Sequence, residues 1–248
     1  MRARELILPL LAVAFAILWV GGIASYLLLK GPPAASRWAA PAFLALGGFL
    51  TLLSAQPADR LPLLACGTLG WLAELLGAHA GIPFGPYHYT SALSPLIAGV
   101  PVVMACAWII LFAYIQQMMV GWVMPHWART VLGASWMTTI DLVIDPLASN
   151  QLGFWRWEES GRYYHVPLSN FAGWFLVSLL LFLLFPRQMA RNLWVRRTGV
   201  SLILFFTVLA LGRGLALPGA IGLVLCSLHV ASWISAWRNP PTRAGQSG

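Results

Sequence analysis

Eight apolar runs constrain this chain more than any other feature: residues 6–29, 38–54, 61–78, 97–120, 128–144, 168–185, 200–217 and 220–237. Each approaches the roughly 20 residues a helix needs to cross the hydrocarbon of a bilayer. None alternates as a barrel strand does, and lipid leaves only helices and closed barrels as spanning elements. With 59% hydrophobic and 9% charged residues, the chain has too few charges to cover a soluble globule of 248 residues. The expected fold is all-α: a polytopic transmembrane helical bundle of about eight spans. Only Pro218 and Gly219 part the last two runs, so one broken hairpin and a count of seven stay open. A single transmembrane domain over residues 1–237, followed by a disordered tail (RNPPTRAGQSG, 238–248), completes the expected organisation.

The net charge of +8 is spread over helix ends and connections rather than gathered on one basic face, which argues against a nucleic-acid partner. Counted by alternate sides, Arg2, Arg4, Arg60, Arg129, Arg187, Arg191, Arg196, Arg197, Arg238 and Arg243 fall on one face. Lys30, Arg37, Arg156, Arg162 and Arg213 fall on the other. The positive-inside rule then places both termini in the cytoplasm of a multi-pass protein of the cell (inner or plasma) membrane. The run after MRARE imitates a signal peptide but is too long for one, so it reads as an uncleaved first span. Cys66, Cys106 and Cys226 sit singly in apolar stretches and read as buried structural thiols.

Parity makes a sharper point. Of seven acidic residues, Glu74, Asp141 and Asp145 lie in or at the edge of apolar runs, where an ionised side chain costs about 2.5–3.5 kcal/mol or more. Such residues usually face a bundle interior and serve a function; the bland alternative is an interhelical hydrogen bond or an Arg pair. Glu74 lies near the end of the third run and the aspartates near the end of the fifth, so all three reach the same side of the membrane. Asp141 and Asp145, four residues apart, share one helical face. Carboxyls so close act as a coupled pair, supplying a general acid and a general base together. Pro146 costs the helix a backbone hydrogen bond, and Ser149, Asn150 and Gly153 are loop formers, so the helix is expected to stop there. Asp145 could then serve only to order that turn.

Two connections share the side of the acids. GIPFGPYHY (81–89) is a stiff Gly/Pro turn whose Tyr87, His88 and Tyr89 either line a polar mouth or form an interfacial aromatic belt. The second connection carries Trp155, Trp157, Tyr163, Tyr164, His165 and Asn170, a density of aromatics beside the acidic helix that favours a site lining over plain membrane anchors. Asn170 either bonds a water or product hydroxyl or caps the sixth span. His79, His88 and His165 lack the spacings that ligate zinc or a di-metal centre, so no metal is expected.

Glu74 with GIPFGPYHY, then VPVVMACAW (100–108), DLVIDP (141–146) and YYHVPLSNFAGW (163–174), together resemble the carotenoid biosynthesis membrane family that includes the CruF-type carotenoid 1,2-hydratases. The likeness covers roughly residues 60–185 and departs from the family pattern at Ser94 and His165, where that pattern favours glycine. The resemblance implies a cofactor-independent hydro-lyase that adds water across the terminal 1,2 double bond of an acyclic carotenoid of lycopene, gamma-carotene or bacterioruberin-precursor type. Such an enzyme would work in the bilayer alongside other membrane enzymes of the carotenoid pathway. The residues fit that chemistry. A trisubstituted alkene must be protonated on carbon by a buried acid, and the tertiary cation is steadied by aromatic faces by about 2 kcal/mol or more when desolvated. Asp141 or Asp145 is the expected proton donor, its partner or Glu74 would position water, and Tyr87, His88, Tyr89, Trp155, Trp157, Tyr164 and Asn170 are the expected substrate contacts. Two other classes compete: a proton-coupled carrier, and a carotenoid-binding scaffold without turnover.

Overall fold

The computed structural model describes residues 2–29 and 31–238. Lys30, Arg243 and the expected disordered tail from residue 239 onward lie outside the described residues. Within them are eight helices: α1 (Arg2–Leu28), α2 (Ala39–Ser54), α3 (Pro57–Ala80), α4 (Met104–Met118), α5 (His126–Asn150), α6 (Leu168–Leu184), α7 (Leu193–Gly212) and α8 (Ala216–Arg238). Four strands of two or three residues, β1 (Tyr87–Tyr89), β2 (Leu96–Ile97), β3 (Val100–Pro101) and β4 (Trp155–Trp157), lie in the connections. Six helices are long and apolar enough to cross a membrane. α4 and α6, with 15 and 17 residues, are shorter; at 1.5 Å per residue they reach about 22 and 26 Å, short of the roughly 30 Å hydrocarbon.

The molecule is an all-α multi-pass membrane protein. α4 is its central post, with every residue from Ala107 to Met118 buried, as suits a helix apolar on all sides. α1 packs into the bundle through rings, Phe15 stacking on Phe43 (4.5 Å) and Phe43 tilting against Phe205 (5.3 Å), while the Trp19 indole donates to the Ser201 carbonyl at 2.8 Å.

Three expected boundaries are corrected. The run 97–120 becomes helical only from Met104, its first residues being taken by the β2–β3 hairpin. The last two helices part at 213–215, where Gly214 is left-handed (φ 74°), and not at Pro218 and Gly219, which lie in the first turn of α8. A proline costs nothing there, because first-turn N–H groups have no helical acceptor. Two separate helices therefore replace the broken hairpin. Finally, α5 does not stop at Pro146 but continues to Asn150. Pro146 has no N–H to give the Leu142 carbonyl, and the Tyr163 hydroxyl, from the connection beyond, donates to that carbonyl at 2.9 Å.

Polar contacts sort the two ends of the bundle. At one end Asn192 donates from its backbone to Gln117 (2.8 Å) and from its side chain to the Ser54 carbonyl (2.8 Å). Arg129 closes the α4–α5 connection on the Met119 and Trp122 carbonyls at 3.2 and 2.8 Å. The other end gathers the last turns of α3 and α5, the first turns of α4 and α6, and the ribbon between them.

Candidate active site

The sequence reading found no strand in either aromatic connection, yet β1 and β4 pair antiparallel, with Tyr87 opposite Trp157, His88 opposite Arg156 and Tyr89 opposite Trp155. Two further backbone bonds, Thr90 N–H to Phe154 O and Glu158 N–H to Pro86 O, both 3.0 Å, extend the ribbon. Three-residue strands are too short for hydrophobic alternation to stand out in a sequence. Their period of two decides which side chains face the bundle. Tyr87, Tyr89, Trp155 and Trp157 face inward; His88 and Arg156 face out. His88 is thus corrected from a site contact to a surface residue, about 60% exposed and 3.8 Å from Glu158.

The inward face is a hydrogen-bond ceiling over the three carboxyls. Glu74, on the last turns of α3, accepts from the Tyr87 and Tyr89 hydroxyls (2.6 and 2.9 Å) through one oxygen and from the Trp108 indole of α4 (3.1 Å) through the other. Asp145 accepts from the Trp155 and Trp157 indoles, each at 3.0 Å, through Oδ1. Its Oδ2 accepts from the Asn170 amide at 2.6 Å, and the same amide donates to Asp141 Oδ2 at 2.7 Å. Asn170, in the first turn of α6, therefore does not cap that helix; it bridges the aspartates. Asp145, whose carbonyl accepts from the Ser149 hydroxyl at 2.7 Å, therefore does more than order the turn after Pro146. The rings that hold Glu74 and those that hold Asp145 adjoin: Tyr87 lies 5.0 Å from Trp157, and Tyr89 5.9 Å from Trp155. Burial, and after it the adjoining Glu74 carboxyl, push the Tyr87 and Tyr89 hydroxyls well above the ordinary phenol range. Both remain protonated donors at any physiological pH.

The carboxyls are buried, while Trp157 above them is partly exposed. Glu74 is 4% exposed and Asp141 and Asp145 are each 1% exposed, so the carboxyls are sealed beneath the ribbon. Beside Trp157 lies a polar basin of about 500 Å³ that includes Ser149, Asn150, Glu158 and His165. Beside Phe154 lies an apolar cavity of about 310 Å³ between α1, α2 and α7. Tyr164 stands apart from the carboxyls, its hydroxyl taking the Leu217 N–H at the start of α8 (3.4 Å). His165 faces the basin with a left-handed backbone (φ 65°), a conformation glycine adopts without strain. Among the described residues no three His, Cys, Asp or Glu side chains gather as metal ligands would.

The carotenoid biosynthesis protein family matches residues 40–229, about three quarters of the chain and all of the site just described. The chain belongs to that family. Within it the chain is 31% identical, over 130 residues, to the bisanhydrobacterioruberin hydratase of Haloarcula japonica; the match covers 50% of this chain and 44% of that protein. The chain thus aligns with less than half the length of that relative. No solved structure matches.

Two members of the buried cluster were not singled out from the sequence. Trp108 holds a Glu74 oxygen and stacks on Trp174 with ring centres 4.3 Å apart. Both close motifs that carry the family likeness, VPVVMACAW and NFAGW, and that position was the available signal.

Proposed function

We propose that this protein is a carotenoid hydratase, converting the terminal R₂C=CHR′ group of an acyclic carotenoid and one water into the tertiary alcohol R₂C(OH)–CH₂R′. The observation that carries the proposal is the Asp141–Asn170–Asp145 bridge, buried under an aromatic ceiling at one end of a membrane bundle. Family membership and the hydratase relative support the same reading.

Hydrogen bonding supports a division of roles. Asp145 and Glu74 each accept from three protein donors, which favours their ionised forms. Asp141, among the described residues, accepts from Asn170 alone. Asp141 is therefore the proton donor: its proton goes to C2 of the alkene, and the double-bond electrons form the new C–H bond and leave a tertiary cation at C1. Trp155, Trp157, Tyr87 and Tyr89 offer their faces to that cation. Water arriving from the basin past Trp157 attacks C1, and Asp145 takes a proton from the resulting oxonium. The Asn170 amide, donating to both carboxyls, holds them side by side, and the proton taken by Asp145 returns to Asp141 through water from the basin. Glu74 holds the two tyrosines in place. The protein would lie in the plasma membrane with both termini cytoplasmic and the site at the opposite face, working beside other membrane enzymes that act on the same polyene.

Expressing the protein in a cell that accumulates acyclic carotenes tests the reading. Pigment heavier by one water is the expected result. A well-expressed protein that leaves lycopene-, gamma-carotene- and bacterioruberin-type chains unchanged would favour the carrier or scaffold instead.

A further inference from the structure

The carboxyls are sealed, so an apolar chain needs a berth from which its end can reach them. Besides a small hollow of about 140 Å³ beside Asp59, Phe112 and Arg187 at the opposite end of the bundle, two apolar hollows are described. One, of about 490 Å³, lies between α5 and α8 and is lined by Leu132, Trp136, Ile221 and Val224. It shares no residue with the ribbon or the carboxyl cluster. The other is the cavity of about 310 Å³ between α1, α2 and α7, a size at the lower end of small-ligand pockets. Its inner wall is Phe154, the residue before Trp155, with the two rings 6.5 Å apart; Trp155 in turn holds Asp145. Its mouth is flanked by Ile17 and Trp38, 64% and 62% exposed, and by the exposed Gly21, so it opens sideways toward lipid at the same end of the bundle as the site. Around it Phe43, Phe205 and Phe206 give a lining with little to offer water.

Resting on the hydratase reading, we propose that this α1–α2–α7 cavity is the berth of the acyclic isoprenoid chain, and that Phe154 and Trp155 form the gate between the berth and Asp145. The chain enters laterally past Gly21, and its terminal isoprene unit passes the gate when the rings swing aside. The proposal gives a role to α1, all of which lies before the family match at residue 40. Continuity decides the occupant: a bilayer acyl chain could fill the same hollow, but only a substrate has reason to abut the gate.

Gly21 offers a clean test, because a Cβ added there meets no atom within 4 Å. Gly21→Trp should place an indole in the cavity without displacing protein, and Val20→Trp, at a 60% exposed position on the same helix, is the control. Both are made in the full-length protein, alone and combined with Asp141→Asn, which slows turnover so that bound pigment can be counted. Lycopene is the probe, measured by absorbance per purified protein, and lipid in the same samples is measured by mass spectrometry. Excluding about four methylene-sized groups from apolar burial should cut lycopene retention by about a hundredfold or more in Gly21→Trp and leave it unchanged in Val20→Trp, with the same thermal midpoint in both. Lycopene retained equally in all variants would overturn the berth, as would a cavity that holds only phospholipid. Those results leave the hydratase reading standing wherever the unmodified protein still hydrates its substrate. If that protein binds lycopene through Gly21 but never hydrates any carotene, the hydratase reading falls and the berth remains.

Discussion

Asp145 accepts hydrogens from two indoles and one amide, and Asp141 from that amide alone, so the two carboxyls should respond differently to replacement. Asp145→Ala strands three buried donors, at about 1–3 kcal/mol each, and should lower stability by more than about 3 kcal/mol in thermal unfolding. Asp141→Asn keeps an acceptor for Asn170 and removes only the acid. It should change stability by less than about 1 kcal/mol while lowering turnover by about 10²–10⁴-fold, the usual share of a general acid. Trp108→Phe keeps a ring on Trp174 but removes a donor from Glu74, and should cost about 1–3 kcal/mol. The three acids were legible in the sequence because hydrocarbon tolerates few carboxyls and parity put these on one side. Their partners were not: which indole meets which carboxyl depends on the register of two strands 66 residues apart, Tyr89 and Trp155.

Between elements, proline chemistry and glycine contacts carry the strongest expectations. If the Tyr163 hydroxyl serves the Leu142 carbonyl because Pro146 cannot, Tyr163→Phe should cost about 1–3 kcal/mol in the natural chain. It should cost far less in a Pro146→Ala background, where a new N–H reaches that carbonyl. A thermal double-mutant cycle measures the coupling; equal costs in both backgrounds would mean the bond is incidental. Gly70 lets α3 approach α4 so closely that a methyl group there would overlap the Trp108 indole. Gly70→Ala should therefore loosen the Trp108–Glu74 bond and impair stability and turnover together, as in other small-residue helix contacts. The eight helices were readable from apolar runs, since the bilayer sets their length. The continuation of α5 past Pro146 was not, because the rescuing hydroxyl lies 17 residues further on and belongs to tertiary structure.

At the scale of the whole molecule, the site occupies one end of the bundle while Arg60, Arg129, Arg187, Arg191, Arg196 and Arg197 belong to the connections and helix ends of the other. On the proposed topology, with the termini cytoplasmic, the site faces away from the cytoplasm. Glu159→Cys, in the exposed β4–α6 connection, should react with a membrane-impermeant maleimide added to intact cells, and Arg191→Cys should react only after lysis. The reverse pattern would invert the topology without touching the chemistry. The chemistry itself is tested most directly by supplying an acyclic carotene to the purified protein in water enriched in deuterium and heavy oxygen, then reading the product by mass spectrometry and nuclear magnetic resonance. The account predicts one solvent deuteron at C2 and one solvent oxygen at C1 for each modified end, with the rate of product formation lowered about 10²–10⁴-fold in Asp141→Asn. Product lacking solvent oxygen, or undiminished product from Asp141→Asn, would contradict it.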